Sequence, residues 1–330
     1  MRFLIFFWGV LLFSLVVCNV SPVNASDNYR RSVAHNCYLG ASTGPPSKVA
    51  LLLSSFTTHV SSPNSIFYIF TTHAAEHETF FAHLYGRVRF LSIDFHDRSW
   101  PPIHMWRFKF FLDFLLQSDA HNCSNVMYTD TYDVFFQGDP FISPQYAAVL
   151  TFTTESKLIG EEIWNAQWIY NCYGLDELVL LHNKTIANSG VVYGPLASVV
   201  AYTGHLLDQF DDRSFHKNPH KGTDGTGLFR YGGFIYHDST HSCWTDQGFL
   251  NHLLHVSYPQ SDMMFAAPSN SENTVFTVGH NRPDLDFVLQ DGTLVRLSSD
   301  GNSDVPTMVH QLNRFPGYWA HVLELYALKP

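Results

Sequence analysis

Apolar runs of strand length alternate with segments of helical spacing along most of this chain. The runs are continuous, which is typical of strands that are covered on both faces of a sheet. Buried strands that alternate with helices predict an α/β fold with a largely parallel central sheet. The strands predicted in this way span residues 48–56, 65–73, 88–95, 125–130, 149–155 and 186–194.

Helices are predicted where apolar residues recur at spacings of three and four. Pro140 and Pro144 lead into a short helix, and the stretch HKNPHKGTDGTG predicts a flexible loop. Asp291 and Gly292 stand between two apolar runs, which is a strong β-hairpin signal. The predicted helices span residues 76–85, 105–118, 144–150, 197–210 and 245–255.

The first 25 residues predict a targeting segment. Arg2 precedes an apolar run that is long for a signal-peptide core and short for a membrane span. Val23 and Ala25 fit a small-residue cleavage pattern, so the segment is either a signal peptide cleaved after Ala25 or an uncleaved signal anchor. Both alternatives place the remaining chain in the secretory lumen (ER or Golgi), as a soluble or secreted protein or as a type II membrane protein.

Residues 26–47 are mostly polar and predict a stem or linker, and residues 48–330 predict one α/β domain without internal repeats. A chain of 330 residues with 45% hydrophobic content is long enough to bury a sizeable core. The net charge of −10 and the lack of a basic stripe argue against nucleic acid as a partner. Membrane contact is expected only through the N-terminal segment, if it is uncleaved.

The cysteines and sequons agree with a lumenal location. Apart from Cys18 in the apolar segment, four cysteines remain, and they predict two disulfides with three possible pairings. A zinc site is less expected because no CxxC pair occurs. The sequons at Asn122 and Asn183 predict surface glycans, and a third at Asn24 is retained only without cleavage. The four cysteines are Cys37, Cys123, Cys172 and Cys243.

Asp130 and Asp133 stand at the end of the predicted strand 125–130. Ligands of open α/β sheets bind beyond the carboxyl ends of the strands. Two converging carboxylates repel each other unless a cation or a shared proton lies between them. A hard divalent cation would accept both and keep positions open for phosphate oxygens. The alternative is a capped turn in which both acids accept hydrogen bonds from backbone N–H groups.

The stretch VMYTDTYDVFFQGDP resembles the metal-binding segment of metal-dependent glycosyltransferases with the GT-A fold. It is most similar to the glycosyltransferase domain of multifunctional lysyl hydroxylases and of collagen glucosyl- and galactosyltransferases. Four further segments resemble that domain in matching order: LTFTTE (150–155), ANSGVVYG (187–194), TDQGF (245–249) and HQLN (310–313). The resemblance covers about residues 107–314 and implies a Rossmann-like GT-A domain.

The resemblance implies that Asp130 and Asp133 ligate Mn²⁺ and that His310 is the third ligand, with His280 as a rival. The metal would bridge the phosphates of a UDP-sugar and stabilise the leaving UDP. HQLNR replaces the glycine-rich stretch that commonly follows this histidine in the family. We expect Arg314 to substitute for the missing backbone contacts by pairing with the diphosphate.

The resemblance also implies a donor-sugar site. Asp246 would contact sugar hydroxyls and, in an inverting enzyme, would serve as the base at the acceptor, although it also suits a helix start. Glu155 would bond the sugar or a neighbouring polar group. The other residues expected to line this site are Asn188, Ser189, Gly190 and Gln247.

The uridine edge is expected at Thr57 and Thr58, directly after the predicted strand 48–56. Arg107 either holds phosphate or covers the surface. Trp244 either stacks on a sugar face or belongs to the core.

The sequence thus predicts a Mn²⁺-dependent glycosyltransferase that moves glucose or galactose from a UDP-sugar to a hydroxyl of a protein or glycan acceptor. One alternative is a non-catalytic carbohydrate-binding protein that retains the fold. Another is a metal-dependent lumenal hydrolase, in which Glu155 or Asp246 would be the base.

Overall fold

A mixed seven-stranded sheet forms the centre of the protein, with the strand order β10-β6-β7-β4-β1-β2-β3. In this computed structural model, β1, β2, β3 and β4 are mutually parallel, β6 is parallel to β10, and β7 runs antiparallel to β4 and β6. The described residues are 35–84, 86–95, 103–117, 122–142, 147–213, 228–231, 234–237, 245–258, 263–266, 275–281, 286–297, 301 and 303–326. The sheet strands are β1 (His35–Ser42), β2 (Ser65–Thr71), β3 (Val88–Ser92), β4 (Cys123–Thr129), β6 (Leu150–Leu158), β7 (Thr185–Pro195) and β10 (Met263–Ala266).

Helices cover both faces of this sheet. Side chains that alternate along a strand point to opposite faces, so each strand contributes to both cores. On β1, Leu39 joins the core under one face and Tyr38 joins the core under the other. The sheet is therefore buried on both sides, which explains the continuous apolar runs. The helices are α1 (Ala50–His59), α2 (Ala74–Phe80), α3 (Ile103–Leu115), α4 (Ile163–Tyr173), α5 (Leu175–Leu181), α6 (Leu196–Arg213), α7 (Asp246–His252) and α8 (Pro316–Leu325).

Smaller sheets complete the fold. β15 pairs in parallel with β11 and antiparallel with β5, and it carries a segment from the far end of the chain to the region after β4. A hairpin sheet and a two-stranded ribbon account for the other strands. These strands are β5 (Val134–Phe136), β8 (Leu228–Tyr231), β9 (Phe234–His237), β11 (Val275–Thr277), β12 (Phe287–Gln290), β13 (Thr293–Leu297), β14 (Ser303–Asp304) and β15 (Met308–His310).

The α/β class is confirmed, with a mixed central sheet flanked by helices that is compatible with a Rossmann-like fold. Of the predicted strands, those in 65–73, 88–95, 125–130, 149–155 and 186–194 are present. The hairpin is also confirmed: β12 and β13 pair antiparallel, and Asp291 and Gly292 have φ of 48° and 81°. Positive φ at both central residues is what a tight type I′ turn requires.

Two predictions at the start of the domain are wrong. Residues 48–56 form helix α1 rather than a strand. The first strand is instead β1, which lies inside the range 26–47 that was assigned to a linker. Every residue from Leu51 to Phe56 is buried, and a short, fully buried apolar run does not distinguish a helix from a strand.

A disulfide joins Cys37 on β1 to Cys123 on the neighbouring strand β4. Cys172 on α4 is disulfide-bonded as well. Several predictions fall outside the described residues. They concern Cys243, the N-terminal targeting segment, the loop 216–227 and part of the short helix 144–150. Among the helices that the structure describes, none is long and apolar enough to span a membrane.

Candidate metal centre

The site lies at the carboxyl edge of the sheet, where the strand order reverses between β1 and β4. This switch point is the usual ligand crevice of open α/β sheets. Asp130 directly follows β4, and Tyr132 reaches across to the end of β1, where its hydroxyl lies 3.0 Å from Ser42 Oγ. The Gly44 N–H also donates to the Tyr132 hydroxyl, at 3.1 Å. The loop that carries the two acids is therefore tied to the neighbouring strand.

His310 reaches this loop because β15 pairs with β5, which begins directly after Asp133. His310 is opposite Val134 in the register, and the Gln311 N–H donates to the Asp133 carbonyl at 2.9 Å. His310 Nε2 lies 3.3 Å from Asp130 Oδ2 and 3.7 Å from Asp133 Oδ1. One ligand atom from each of Asp130, Asp133 and His310 falls within 4.8 Å of the others. The three predicted metal ligands are thus brought together.

Gly190 forms the wall of this cluster. The pairing of β7 with β6 jumps at this point, because Phe152 is opposite Val192 whereas Thr153 is opposite Asn188. The intervening residues of β7 bulge toward the site, and the Gly190 carbonyl accepts a hydrogen bond from the Asp130 N–H at 2.7 Å. A methyl group on Gly190 would lie 2.5 Å from His310 Nε2 and 2.7 Å from Asp130 Oδ2. Bulges of this kind are common beside active sites.

Arg107 is buried beside the cluster, and its guanidinium donates to Asp130 Oδ1. The same guanidinium donates to Asp246 Oδ2 at 2.6 Å and to the Ser189 carbonyl at 3.1 Å. The surface alternative for Arg107 is therefore wrong. Because Arg107 occupies Oδ1, the Asp130 carboxylate presents Oδ2 to His310 and to the centre of the cluster.

The pKa values of the three ligand residues shift in different directions. Burial opposes ionisation of Asp130, but Arg107 and His310 outweigh it and hold the pKa of Asp130 well below its ordinary value. Burial raises the pKa of Asp133, and repulsion from Asp130 adds to this, although His310 and Arg314 oppose the shift. Burial lowers the pKa of His310, but the two carboxylates overcome it and the pKa is raised. The cluster therefore attracts positive charge, which a divalent cation would supply.

Glu155 is the centre of a second polar group next to the cluster. Its Oε1 accepts from Asn188 Nδ2 at 2.9 Å and from Gln247 Nε2 at 3.1 Å. Its Oε2 lies 3.3 Å from His280 Nε2. Burial opposes ionisation of Glu155, but His280, Asn188 and Gln247 prevail, so its pKa is lowered. His280, the rival metal ligand, is thus the partner of Glu155, and the metal cluster of the described residues takes His310 instead.

Asp246 and Gln247 open helix α7 and join the two polar groups. Asp246 accepts from Arg107 through Oδ2 and from the Gln247 N–H through Oδ1, at 2.9 Å. Gln247 Nε2 also donates to Asn165 Oδ1 at 2.9 Å, and Gln247 Oε1 accepts from the Ser189 N–H at 3.3 Å. All five predicted sugar-site residues of β7 and α7 therefore belong to one connected, buried network beside Asp130.

Thr57 and Thr58 do not lie at a strand end. They belong to the last turn of α1, and their hydroxyls donate to the carbonyls of Leu53 and Ser54. The first strand is β1, which ends at Ser42, so residues 48–56 do not provide the strand end on which the expectation for Thr57 and Thr58 rested. Trp244 lies outside the described residues.

Arg314 is exposed, four residues after His310, and its charge acts on Asp133. The turn between them uses Gln311 in a left-handed conformation, with φ of 66°.

The donor set fits a divalent cation. Two carboxylates and one imidazole, one atom each, are ligands that divalent cations take in proteins, and they leave coordination positions for other ligands. Thr277 Oγ1 lies 3.4 Å from His310 Nδ1, on the side of the ring away from the carboxylates. A partner on the second ring nitrogen is typical of metal-binding histidines and fixes the ring orientation.

Sequence reasoning missed two contributors to this site. Ser42 lies in a strand that was not predicted, so it carried no signal. Arg107 was considered only as a phosphate or surface residue, and its one signal is a cation in an aromatic helix before the acidic loop. No model of a known protein family matches this chain, and no curated protein is significantly similar to it.

Proposed function

We propose that this protein is a divalent-cation-dependent glycosyltransferase that uses a UDP-hexose, with Mn²⁺ as the expected cation. The observation that carries the proposal is the grouping of Asp130, Asp133 and His310 at the switch-point edge of the sheet. Supporting evidence comes from the order of the five sequence segments that resemble GT-A glycosyltransferases, since all five contribute side chains to one connected site.

The bound cation would supply positive charge to two phosphate oxygens and so stabilise the leaving diphosphate. Asp130, Asp133 and His310 would hold it. Arg107 orients Asp130 by binding the other carboxylate oxygen. Gly190 keeps the opposite wall free of a side chain, so the ligand atoms retain their spacing.

The nucleotide would lie between the ends of β1 and β4. Tyr132 is 43% exposed, while its hydroxyl is held by Ser42 and Gly44. A fixed, exposed aromatic ring at this crevice suits stacking against a flat base. Arg314 is exposed near Asp133 and would pair with the diphosphate.

The sugar would lie toward Asn188, Gln247 and Glu155, whose amides and carboxylate form hydrogen bonds of the kind that hydroxyl groups make. We assign Asp246 a positioning role, because both of its oxygens are engaged and proton transfer to it would compete with Arg107. A hydroxyl of a protein or glycan remains the proposed acceptor. The Cys37–Cys123 disulfide supports an oxidising, secretory location.

The test is UDP release from a panel of UDP-sugars by the purified full chain, with Mn²⁺ and with EDTA. The variant is Asp133→Asn, and the control is Asp176→Asn, which changes an exposed acid on α5. We expect turnover of one donor that is lost in EDTA and in Asp133→Asn and retained in Asp176→Asn. Turnover that persists in EDTA would contradict metal dependence. If no donor turns over but carbohydrate still binds, the protein is a binding module.

A further inference from the structure

Asn183 lies in the exposed turn that connects α5 to β7, within the sequon Asn-Lys-Thr. Lys184 and Thr185 are exposed as well. The turn is held in place by its neighbours: the Lys184 N–H donates to the Leu181 carbonyl, and the Gly160 N–H donates to the His182 carbonyl, both at 2.9 Å. The acceptor side chain therefore stands on a fixed, accessible part of the surface.

Two exposed aliphatic residues, Val179 and Leu180, precede the turn that carries Asn183. Val179 is 53% exposed and Leu180 is 58% exposed on the outer face of α5. His182, just after the helix, still has helical φ and ψ of −48° and −45°. Asn183 consequently follows Val179 by four residues and Leu180 by three, the spacings that place side chains next to each other on a helix. The exposed pair and the sequon share one patch of surface.

The orientation of the Asn183 amide leaves its nitrogen available. The His182 ring contacts Asn183 through Nδ1 and Oδ1, at 2.9 Å. Nδ2, the atom that would bear a sugar, takes no part in that contact. The ring itself is held against Gly160, where a methyl group would collide with it.

We propose that Asn183 carries an N-linked glycan whose first sugars cover Val179 and Leu180. In the reaction, Asn183 Nδ2 loses a proton and forms a bond to the anomeric carbon of an oligosaccharide. That oligosaccharide is delivered as a polyprenyl-diphosphate ester by a separate lumenal transferase, and the carbon–oxygen bond to the diphosphate breaks. A bulky, polar glycan at this position explains why an aliphatic pair is left exposed on a short helix.

The second sequon in the described region offers a contrast. Asn122 is only partly exposed and immediately precedes Cys123, which is bonded to Cys37. The Ser124 hydroxyl of this sequon donates to the His35 carbonyl at 3.1 Å, within the β1–β4 pairing. Folding therefore competes with modification at Asn122, whereas the Asn183 turn remains on the surface. We expect higher occupancy at Asn183 than at Asn122.

The first experiment measures site occupancy by peptide mass spectrometry. The full chain is expressed in secreting eukaryotic cells, and the glycans are released enzymatically, which converts each modified Asn to Asp. We expect Asn183 to be converted in wild type and in Thr185→Ser, which keeps the sequon, and conversion to be lost in Thr185→Ala. Unmodified Asn183, or higher occupancy at Asn122, overturns the proposal.

The second experiment tests the covering of the apolar pair with a dye that fluoresces on exposed apolar surface. Glycan release from the folded wild type, or the Thr185→Ala change, should raise the fluorescence. In the triple variant Val179→Ser, Leu180→Ser and Thr185→Ala, the rise should be abolished. An occupied Asn183 whose glycan release leaves the fluorescence unchanged overturns the covering role. Using the folded, glycosylated protein keeps the test valid even if Thr185→Ala is poorly secreted.

Discussion

Gly190 lies at the wall of the candidate metal centre, where an added methyl group would lie within 2.7 Å of Asp130 Oδ2. We predict that Gly190→Ala displaces the ligand atoms, weakens Mn²⁺ binding by about 10- to 100-fold and costs about 1–3 kcal/mol of stability through overpacking. Calorimetric Mn²⁺ titration and denaturant unfolding measure the two effects. The control is Gly204→Ala on α6, where a methyl group meets no atom within 4 Å. Equal behaviour of the two variants would contradict the close approach at Gly190.

Arg107 is buried and donates to the carboxylates of half-buried Asp130 and buried Asp246, so its removal should matter more than that of a surface cation on the same helix. Arg107→Met leaves Asp130 and Asp246 without their buried cation and should cost about 3–5 kcal/mol. Lys109→Met breaks an exposed pair with Asp113 and should cost no more than about 0.5 kcal/mol. Thermal and denaturant unfolding in EDTA check both. Added Mn²⁺ should recover part of the stability that Arg107→Met loses. If Arg107→Met costs no more stability than Lys109→Met, the ion pairs of Arg107 do not stabilise the fold.

At the level of single residues, Asp130 and Asp133 were predicted from their residue type and their place at a strand end, and His310 only from the family resemblance; the structure brings the three together. Sequence reasoning did not identify the role of Arg107, because that role depends on contacts 23 and 139 residues away. A cation on an amphipathic helix is usually a surface residue with a buried stem. Only the tertiary structure shows that this one is buried whole.

Helix α1 is tethered to β5 by Ser55, which is fully buried. Its hydroxyl accepts from the Phe136 N–H and donates to the Leu52 carbonyl, both at 3.0 Å. Ser55→Ala leaves the Phe136 N–H unpaired and should cost about 1–3 kcal/mol. The Ser54 hydroxyl is buried and has no hydrogen-bond partner among the described residues, so Ser54→Ala should be neutral or stabilising. Denaturant unfolding measures the stability of both variants. A Ser54→Ala variant that is less stable than Ser55→Ala would contradict the tether.

Glu155 on β6 predicts a pH dependence of stability. Because its pKa in the folded protein lies below the ordinary value, the ionised form contributes stability above about pH 4.5. That contribution is lost as the pH falls through the folded pKa. Glu155→Gln should therefore be less stable than wild type at pH 7 by about 2 kcal/mol, and the difference should shrink below pH 4.5. Urea unfolding at several pH values measures the stability difference between wild type and Glu155→Gln. A difference that does not change with pH would contradict a lowered pKa of Glu155.

At the level of elements, the strands with continuous apolar runs were predictable and two elements were not. The run 48–56 was read as a strand because its burial on all sides removes the helical periodicity. Strand β1 was missed because HNCYLGAS mixes polar and apolar residues after a polar stretch. Its central position depends on pairing with β2 and β4, which only the folded chain provides.

The whole molecule places five separated segments at one sheet edge. β4 supplies the acidic loop, β15 supplies His310, β6 and β7 supply Glu155 and the Gly190 bulge, and α3 supplies Arg107. Their convergence was expected only from the family resemblance, because residue type and spacing alone do not bring His310 close to Asp130, which lies 180 residues earlier. The topology explains how the chain end returns to the acidic loop, since β15 pairs with β5.

The most direct test of the central claim is a titration of Mn²⁺ into the full chain with UDP present, followed by electron paramagnetic resonance. Free Mn²⁺ gives a strong signal that weakens when the ion is bound. We predict loss of one equivalent of free signal with wild type and with the surface control Asp176→Asn, and no loss at the same concentrations with Asp133→Asn or His310→Ala. Equal binding by all four proteins, or binding by none, would contradict a metal centre at Asp130, Asp133 and His310.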